Sequence, residues 1–192
     1  MSRRMDYHLH TIHSFDGEQT ITELCREMLR QGVEELCLTE HLDTGHPDPA
    51  CDVPFIWDVY LRELALARAE FPRLVIRAGV EIGDNPACRD IIRADIADRG
   101  LDFHLLSFHV VNGVDPYDAE HYYAGKTRAQ AYRDYAEAKA ASVLAWEDFD
   151  SVAHIGYVSR YSPYEDKPLR YADAPDAFDA LLRHIISHDA AL

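Results

Sequence analysis

The chain opens with the stretch DYHLH at residues 6–10, followed by SFDG at residues 14–17. Side chains alternate between the two faces of a β-strand, so His8 and His10 point the same way if this segment is a strand. Asp16 follows after one short loop. Two imidazoles with a nearby carboxylate are typical ligands of a divalent metal ion. An HxH pair also occurs by chance on exposed strands, so the metal interpretation depends on further ligands.

Further ligand types stand at the ends of four later apolar segments. These segments end in TEH at 39–41, GVE at 79–81, SFH at 107–109 and VAH at 152–154. The last residue of each can bind a divalent cation: His41, Glu81, His109 and His154. Independent core histidines are not expected to recur so regularly at one structural position. Glu81 stands out because a carboxylate in a buried apolar strand is costly unless it is paired or metal-bound.

Segments typical of strands and helices alternate along the chain. The pattern predicts strands over residues 4–10, 35–40, 74–83, 102–109 and 150–155. It predicts helices over residues 20–31, 56–71, 127–146 and 175–188, and one more that begins with Asn85 as N-cap and Pro86 and is closed by Gly100. This alternation predicts an α/β fold of the (β/α) barrel type, in which active sites gather at the C-terminal ends of the strands. A doubly wound open sheet is the alternative, but it would not bring every strand end to one cluster.

Length and composition fit one ordinary globular domain over residues 1–192. The formal net charge of −15 argues against a nucleic-acid surface, which needs clustered lysine and arginine. It does not exclude a small phosphorylated substrate, because bound cations can reverse the local field in a pocket. The four cysteines form no CxxC pair, and we see neither an apolar span for a membrane nor a signal peptide. We therefore expect a cytoplasmic protein.

Together these motifs resemble those of the PHP (polymerase and histidinol phosphatase) superfamily, most closely its histidinol-phosphate phosphatase branch. The resemblance follows the family's order over nearly the whole chain and includes GVEIG at 79–83. It implies a distorted seven-stranded (β/α)7 barrel of TIM type with a centre of two to three divalent ions. By similarity, His8, His10 and Glu81 would bind one ion, and Glu81 would bridge to a second ion held by His109 and His154. Asp16 and His41 would contribute to the third, and zinc, manganese or iron would suit such ligands.

Other residues receive roles from the resemblance or from their position. Arg160, in the predicted loop after the fifth strand, resembles a clamp for the substrate phosphate, since a guanidinium can bind phosphate bidentately. A surface arginine is the alternative. Glu40, beside His41, is expected either to orient a metal ligand or to form a structural salt bridge. The predicted loop over residues 110–126 carries three tyrosines that could line a pocket or simply pack on the surface: Tyr117, Tyr122 and Tyr123.

In one respect the sequence departs from the family pattern. Family members continue with two more strands, the last of which ends in an Asp-x-His motif, whereas this sequence ends at Leu192. We therefore expect about five β/α units, an incomplete barrel and an open sheet edge, which favours a homodimer or a poorly behaved monomer. His184 and His188 are expected to be ordinary residues on the surface of the last helix.

The resemblance implies metal-dependent hydrolysis of L-histidinol phosphate to L-histidinol and phosphate, a step of histidine biosynthesis. A PHP-type phosphoesterase that acts on nucleotides or another phosphate ester is the first alternative. A catalytically inactive fragment or binding module is the second.

Overall fold

The computed structural model describes residues 3–192 and is built around a sheet of five parallel strands. The strands are β1 (Met5–Leu9), β2 (Glu35–Leu42), β3 (Val75–Gly83), β4 (Phe103–Ser107) and β5 (Ser151–Val152). Their order in the sheet is their order in the sequence. A doubly wound sheet would reverse its strand order at a switch point, whereas a barrel wall runs sequentially. The prediction of an incomplete barrel is confirmed, and the doubly wound alternative is wrong.

Seven α-helices connect and cover these strands within the described residues. They are α1 (Ile21–Arg30), α2 (Trp57–Glu70), α3 (Arg89–Ile96), α4 (Ala119–Tyr122), α5 (Arg128–Val143), α6 (Tyr157–Arg160) and α7 (Pro175–Ser187). The helix α1 begins where the sequence predicts, because Thr20 and Glu23 form a capping box. Thr127 and Gln130 do the same at the start of α5.

The predicted start of the third helix is wrong. The Asn85 side chain accepts a hydrogen bond from the Ala87 N–H at 3.1 Å, but residues 86–88 form a turn and not a helix. The Asn85 amide also donates to the backbone oxygens of Thr44 and Gly45, at 3.2 and 3.0 Å. It thereby ties this segment to the turn after β2, and α3 begins only at Arg89. Two predicted loops also contain short helices, α4 and α6.

The main core lies between the sheet and the long helices, where side chains such as Leu36, Leu38, Val80 and Ile82 are fully buried. This burial explains the continuous apolar runs of β2 and β3, which are covered on both faces. No helix in residues 3–192 is long and apolar enough to cross a membrane.

A second, smaller core lies beneath the segment 110–126. Tyr122 and Tyr123 are buried there against Tyr132 and Tyr135, and the hydroxyls of Tyr122 and Tyr123 donate to backbone oxygens. These two tyrosines therefore follow neither alternative, pocket lining or packing on the surface, because they are buried and anchor the segment from below. Tyr117 is exposed and does line the large pocket described next.

Candidate metal centre

Glu81 lies near the end of β3, and its side chain is 0% exposed. Four imidazole nitrogens lie within 3.3 Å of its carboxylate. Oε2 lies 2.9 Å from His8 Nε2 and 3.2 Å from His10 Nε2. Oε1 lies 3.0 Å from His154 Nε2 and 3.3 Å from His109 Nε2. Four strands thus bring five predicted ligands to one point.

These donors suit metal ions in both chemistry and spacing. Ligand atoms that each lie about 2.1 Å from one ion at ordinary coordination angles are roughly 3.0–3.4 Å apart. The nitrogen-to-oxygen distances around Glu81 fall in or close to that range. Three sets of donors have all their ligand atoms within 4.8 Å of one another: His8, His10 and Glu81; His10, Asp16 and His41; and His41, Glu81 and His109. Imidazole and carboxylate are ligands typical of zinc, manganese and iron.

Asp16 and His41 form the outer part of the cluster. Asp16 Oδ2 lies 3.5 Å from His41 Nε2, and its Oδ1 lies 3.8 Å from His10 Nδ1. The loop that carries Asp16 turns tightly enough that a Cβ on Gly17 would lie 1.8 Å from the Thr11 carbonyl oxygen. Any larger residue would force this loop open and move Asp16, which explains the glycine of the SFDG stretch.

Glu40 orients this loop and the histidines beside it. Its buried carboxylate accepts hydrogen bonds from the Thr11 hydroxyl at 2.6 Å and from the Ser14 hydroxyl at 2.6 Å. Ser14 Oγ in turn accepts from the His41 backbone N–H at 2.9 Å and lies 3.3 Å from His10 Nδ1. Glu40 forms no salt bridge with any of residues 3–192, so its contacts are those of an orienting group.

Asp43 is a second orienting carboxylate, and the sequence interpretation missed it. Its Oδ1 lies 2.7 Å from His109 Nδ1, and its Oδ2 lies 2.8 Å from His41 Nδ1. The hydrogen bond between Asp43 and Nδ1 of His109 fixes the tautomer of that histidine and leaves its Nε2 to bind an ion, whereas the contact with His41 is an ion pair without hydrogen-bond geometry. A Cβ on Gly83 would lie 2.0 Å from Asp43 Oδ1, so this glycine makes room for the carboxylate. Asp43 follows His41 by two positions, and the alternation of β2 was the signal that could have revealed it.

Electrostatics keep the carboxylates of the cluster ionised. Burial by itself raises the pKa of Glu81, but hydrogen bonds from His10, His109, His154 and His8 hold that pKa well below its usual value. Burial likewise lowers the pKa of His41, yet Asp16, Asp43 and Glu81 raise it to about 11. Burial also lowers the pKa of His109, but the nearby carboxylates of Asp43 and Glu81 raise it to about 9. The cluster therefore holds positive charge, whether as protons or as metal ions.

A pocket of about 600 Å³ opens above the cluster. Arg160, at the end of α6, lies on its wall and forms no salt bridge within residues 3–192; its guanidinium lies 5.6 Å from the Tyr161 ring. The structure thus places Arg160 at the rim of the same cavity as the predicted ligands. His184 and His188 lie elsewhere, on α7, where they contact Trp146 and Glu147.

One wall of this pocket is acidic. Asp115 accepts hydrogen bonds from the Tyr157 hydroxyl at 3.0 Å and from the Tyr117 backbone N–H at 2.8 Å. His46 Nε2 lies 3.2 Å from its other oxygen, and His46 Nδ1 accepts from the Asp48 backbone N–H, so Nε2 is the donor toward Asp115. The sequence interpretation missed this wall, because nothing in the residue spacing connects these segments.

A sequential parallel barrel wall with histidine and carboxylate side chains at its C-terminal edge defines a metal-binding protein of the (β/α) barrel class. The PHP domain model matches residues 6–192, and the chain belongs to this family.

Several curated relatives match almost the whole chain. It is 31% identical to the histidinol-phosphatase of Lactococcus lactis over 191 residues, covering 99% of this chain and 70% of that protein. It is 28% identical to a probable histidinol-phosphatase of Clostridium acetobutylicum, covering 97% of this chain and 71% of the relative. The crystal structure of the Lactococcus lactis histidinol phosphate phosphatase, complexed with zinc, L-histidinol and phosphate, superposes with a TM-score of 0.92 at 31% identity. That match covers 99% of this chain and 72% of the other.

Proposed function

We propose that this protein is a metal-dependent phosphatase that hydrolyses L-histidinol phosphate to L-histidinol and phosphate, with residues 1–192 acting as one domain. The observation that carries the proposal is the convergence of His8, His10, His109 and His154 on the buried carboxylate of Glu81. The relationship to histidinol-phosphatases over nearly the whole chain supports the substrate.

The cluster has donors for two to three divalent ions, which we propose to be zinc, manganese or iron. His8, His10 and Glu81 would hold the first ion, Glu81 with His109 and His154 the second, and Asp16 with His41 would contribute to the third. Such ions, when bound, polarise phosphoryl oxygens and lower the pKa of water to near neutrality. Asp43 and Glu40 keep the ligand imidazoles oriented through the contacts described above.

The remaining pocket residues fit the two ends of the substrate. Arg160 would bind the phosphate through its guanidinium, at the rim above the cluster. The acidic wall around Asp115 and Asp48 would face the organic part of the substrate, because histidinol carries an ammonium group and a basic imidazole. A nucleotide offers no comparable cation to this wall, so the wall favours histidinol phosphate over nucleotides.

Location and assembly complete the proposal. We propose that the protein acts in the cytoplasm and forms a homodimer, because within residues 3–192 strand β1 pairs only with β2 and leaves its other edge open. Light scattering of the purified protein tests the assembly. A monomer at micromolar concentration would contradict the dimer without affecting the proposed chemistry.

The decisive experiment measures phosphate release after loading the protein with zinc or manganese. We expect turnover of L-histidinol phosphate, with far slower release from nucleoside monophosphates and from a phosphodiester. Arg160→Met should raise KM for histidinol phosphate about 10- to 100-fold through loss of a charge-assisted contact. Arg170→Met is the matched control, because Arg170 pairs with Asp166 away from the pocket and its loss should leave KM unchanged. Absence of turnover with bound metal would exclude the proposed substrate.

A further inference from the structure

Lys139 is a buried charged side chain for which the proposed chemistry has no use. It lies on α5, is 1% exposed, and lines a small internal cavity together with Tyr135, Ile155, Phe178 and Leu181. Within residues 3–192 it forms no salt bridge. A lysine in such a place is costly, and an apolar residue of similar length would fit the core better. A specific contact of the ammonium group must therefore offset the cost of burying Lys139.

That contact is with the residue before His154. Lys139 Nζ donates a hydrogen bond to the Ala153 carbonyl oxygen at 2.8 Å. The N–H of Ala153 donates to Leu106 of β4 at 2.9 Å, so both polar groups of Ala153 are held from outside its own segment. The Lys139 ammonium group therefore gives the Ala153 carbonyl the hydrogen bond that a backbone N–H of a neighbouring strand would give in a regular sheet.

The backbone at His154 needs such support. His154 has a φ of 20°, a conformation that residues with a Cβ rarely adopt. A strained residue of this kind persists only where its surroundings hold it. The Tyr157 N–H bonds the His154 carbonyl at 3.1 Å, and Lys139 bonds the preceding carbonyl. These two hydrogen bonds hold the backbone on either side of His154, whose imidazole faces Glu81.

We propose that Lys139 is a positioning residue for His154: its bond to the Ala153 carbonyl fixes the turn that aims His154 Nε2 at the metal centre. This inference rests on the proposed function, in which His154 is a metal ligand. Lys139 itself touches neither substrate nor ion.

The test compares variants of Lys139 in the full chain by zinc titration against a competing chelator. Lys139→Met removes the donor and should weaken one zinc site about 10- to 100-fold, the usual effect of losing a group that orients a metal ligand. It should also lower kcat for histidinol phosphate more than it changes KM, and alter the visible spectrum of the Co²⁺-loaded protein. Lys139→Gln keeps an N–H donor without the charge and should restore much of the zinc affinity.

Arg68→Met is the matched control, because Arg68 Nε also donates to a strand carbonyl, that of Ile76, at 2.8 Å but at the start of β3. We expect it to lower thermal stability while leaving zinc affinity and the cobalt spectrum unchanged. If Lys139→Met behaves in the same way, Lys139 only stabilises the fold and the inference is wrong.

A double-mutant cycle separates this inference from the function on which it rests. If Lys139 acts through His154, adding Lys139→Met to His154→Ala should not weaken zinc binding further. Additive losses would overturn the positioning role even if the enzyme is a phosphatase. Unchanged zinc binding in His154→Ala alone would instead remove His154 from the metal centre. Should Lys139→Met fail to fold, the same cycle with Lys139→Leu decides the question.

Discussion

Two buried carboxylates, three residues apart at the end of β3, differ in what surrounds them. Asp84 accepts two bonds from Arg89 at 2.7 Å each, one from Ser142 at 2.6 Å and one from the Trp146 indole at 2.8 Å. The guanidinium, hydroxyl and indole groups all keep their protons near neutral pH, so the protein alone supplies every hydrogen bond that Asp84 accepts. Glu81 instead faces four imidazoles, whose nitrogens either carry a proton or offer a lone pair to a cation. A buried carboxylate therefore indicates a metal site when its partners, like imidazoles, can give up a proton and bind a metal ion instead.

The largest effect that separates the two carboxylates should come from Glu81→Gln. The substitution keeps the shape but removes the charge shared by the proposed ions. We expect phosphate release to fall on the order of 10³-fold or more, with loss of bound metal, since metal ions contribute several kcal/mol of transition-state stabilisation. Steady-state kinetics and elemental analysis measure this. Retained activity with full metal content would show that Glu81 is an ordinary buried acid.

Asp84→Asn should act on stability instead. Breaking a buried ion pair leaves Arg89 without its partner and costs about 3–5 kcal/mol in the free energy of unfolding. Urea denaturation of the metal-free protein measures the loss. The folded variant should still bind zinc with unchanged stoichiometry, and a loss of zinc binding would mean that the two carboxylates are not separable.

Metal removal provides a third contrast. An ion present at about 100 times its Kd stabilises the folded state by about 2.7 kcal/mol. Chelation should therefore lower the Tm of the wild type and of Asp84→Asn by similar amounts. Glu81→Gln should show little response to the chelator, and a full response in that variant would contradict the assignment of Glu81.

A smaller effect is expected from Asp43, which only orients ligands. Asp43→Asn should weaken zinc binding about 10- to 100-fold while leaving the ligands in place. Gly83→Ala should act in the same direction, because its methyl group would collide with the Asp43 carboxylate. Gly113→Ala is a control for adding a methyl group to a loop glycine, since nothing lies near its Cβ position, although its φ of 83° predicts some loss of stability. Equal zinc affinity in Gly83→Ala and wild type would argue against the role of Asp43.

The last expected effect is a dependence on pH. In the metal-free protein the raised pKa of His109, about 9, contributes stability that is complete below about 6.5 and is lost as pH rises through 9. Binding of an ion must displace that proton and the one on His41. The gain in unfolding free energy on adding zinc should therefore grow between pH 6.5 and 9, by up to about 1.4 kcal/mol per pH unit for each proton released. Calorimetry in buffers of different ionisation enthalpy counts the protons, and a gain independent of pH would contradict protonated histidines.

The sequence by itself determined the strand order and the residues that face one another at the strand ends. Apolar runs closed by His41, Glu81, His109 and His154 predicted both the parallel sheet and the side chains that we propose as metal ligands, because parallel strands end at the same edge of the sheet. The capping box of Thr20 and Glu23 located the start of α1 for a similarly local reason. Asn85 misled the prediction because the residues after it form a turn, which its amide ties to a distant segment, and the helix begins only at Arg89.

Only the tertiary structure decided which polar groups support the proposed ligands. Asp43 reaches His109, Asp115 joins three segments, and Lys139 holds the carbonyl before His154, each across a large sequence separation. Such contacts leave no periodic trace in the chain, since they depend on how helices and loops pack against the sheet. The side chains that meet at the strand ends follow from local geometry, whereas the groups that orient them follow from packing.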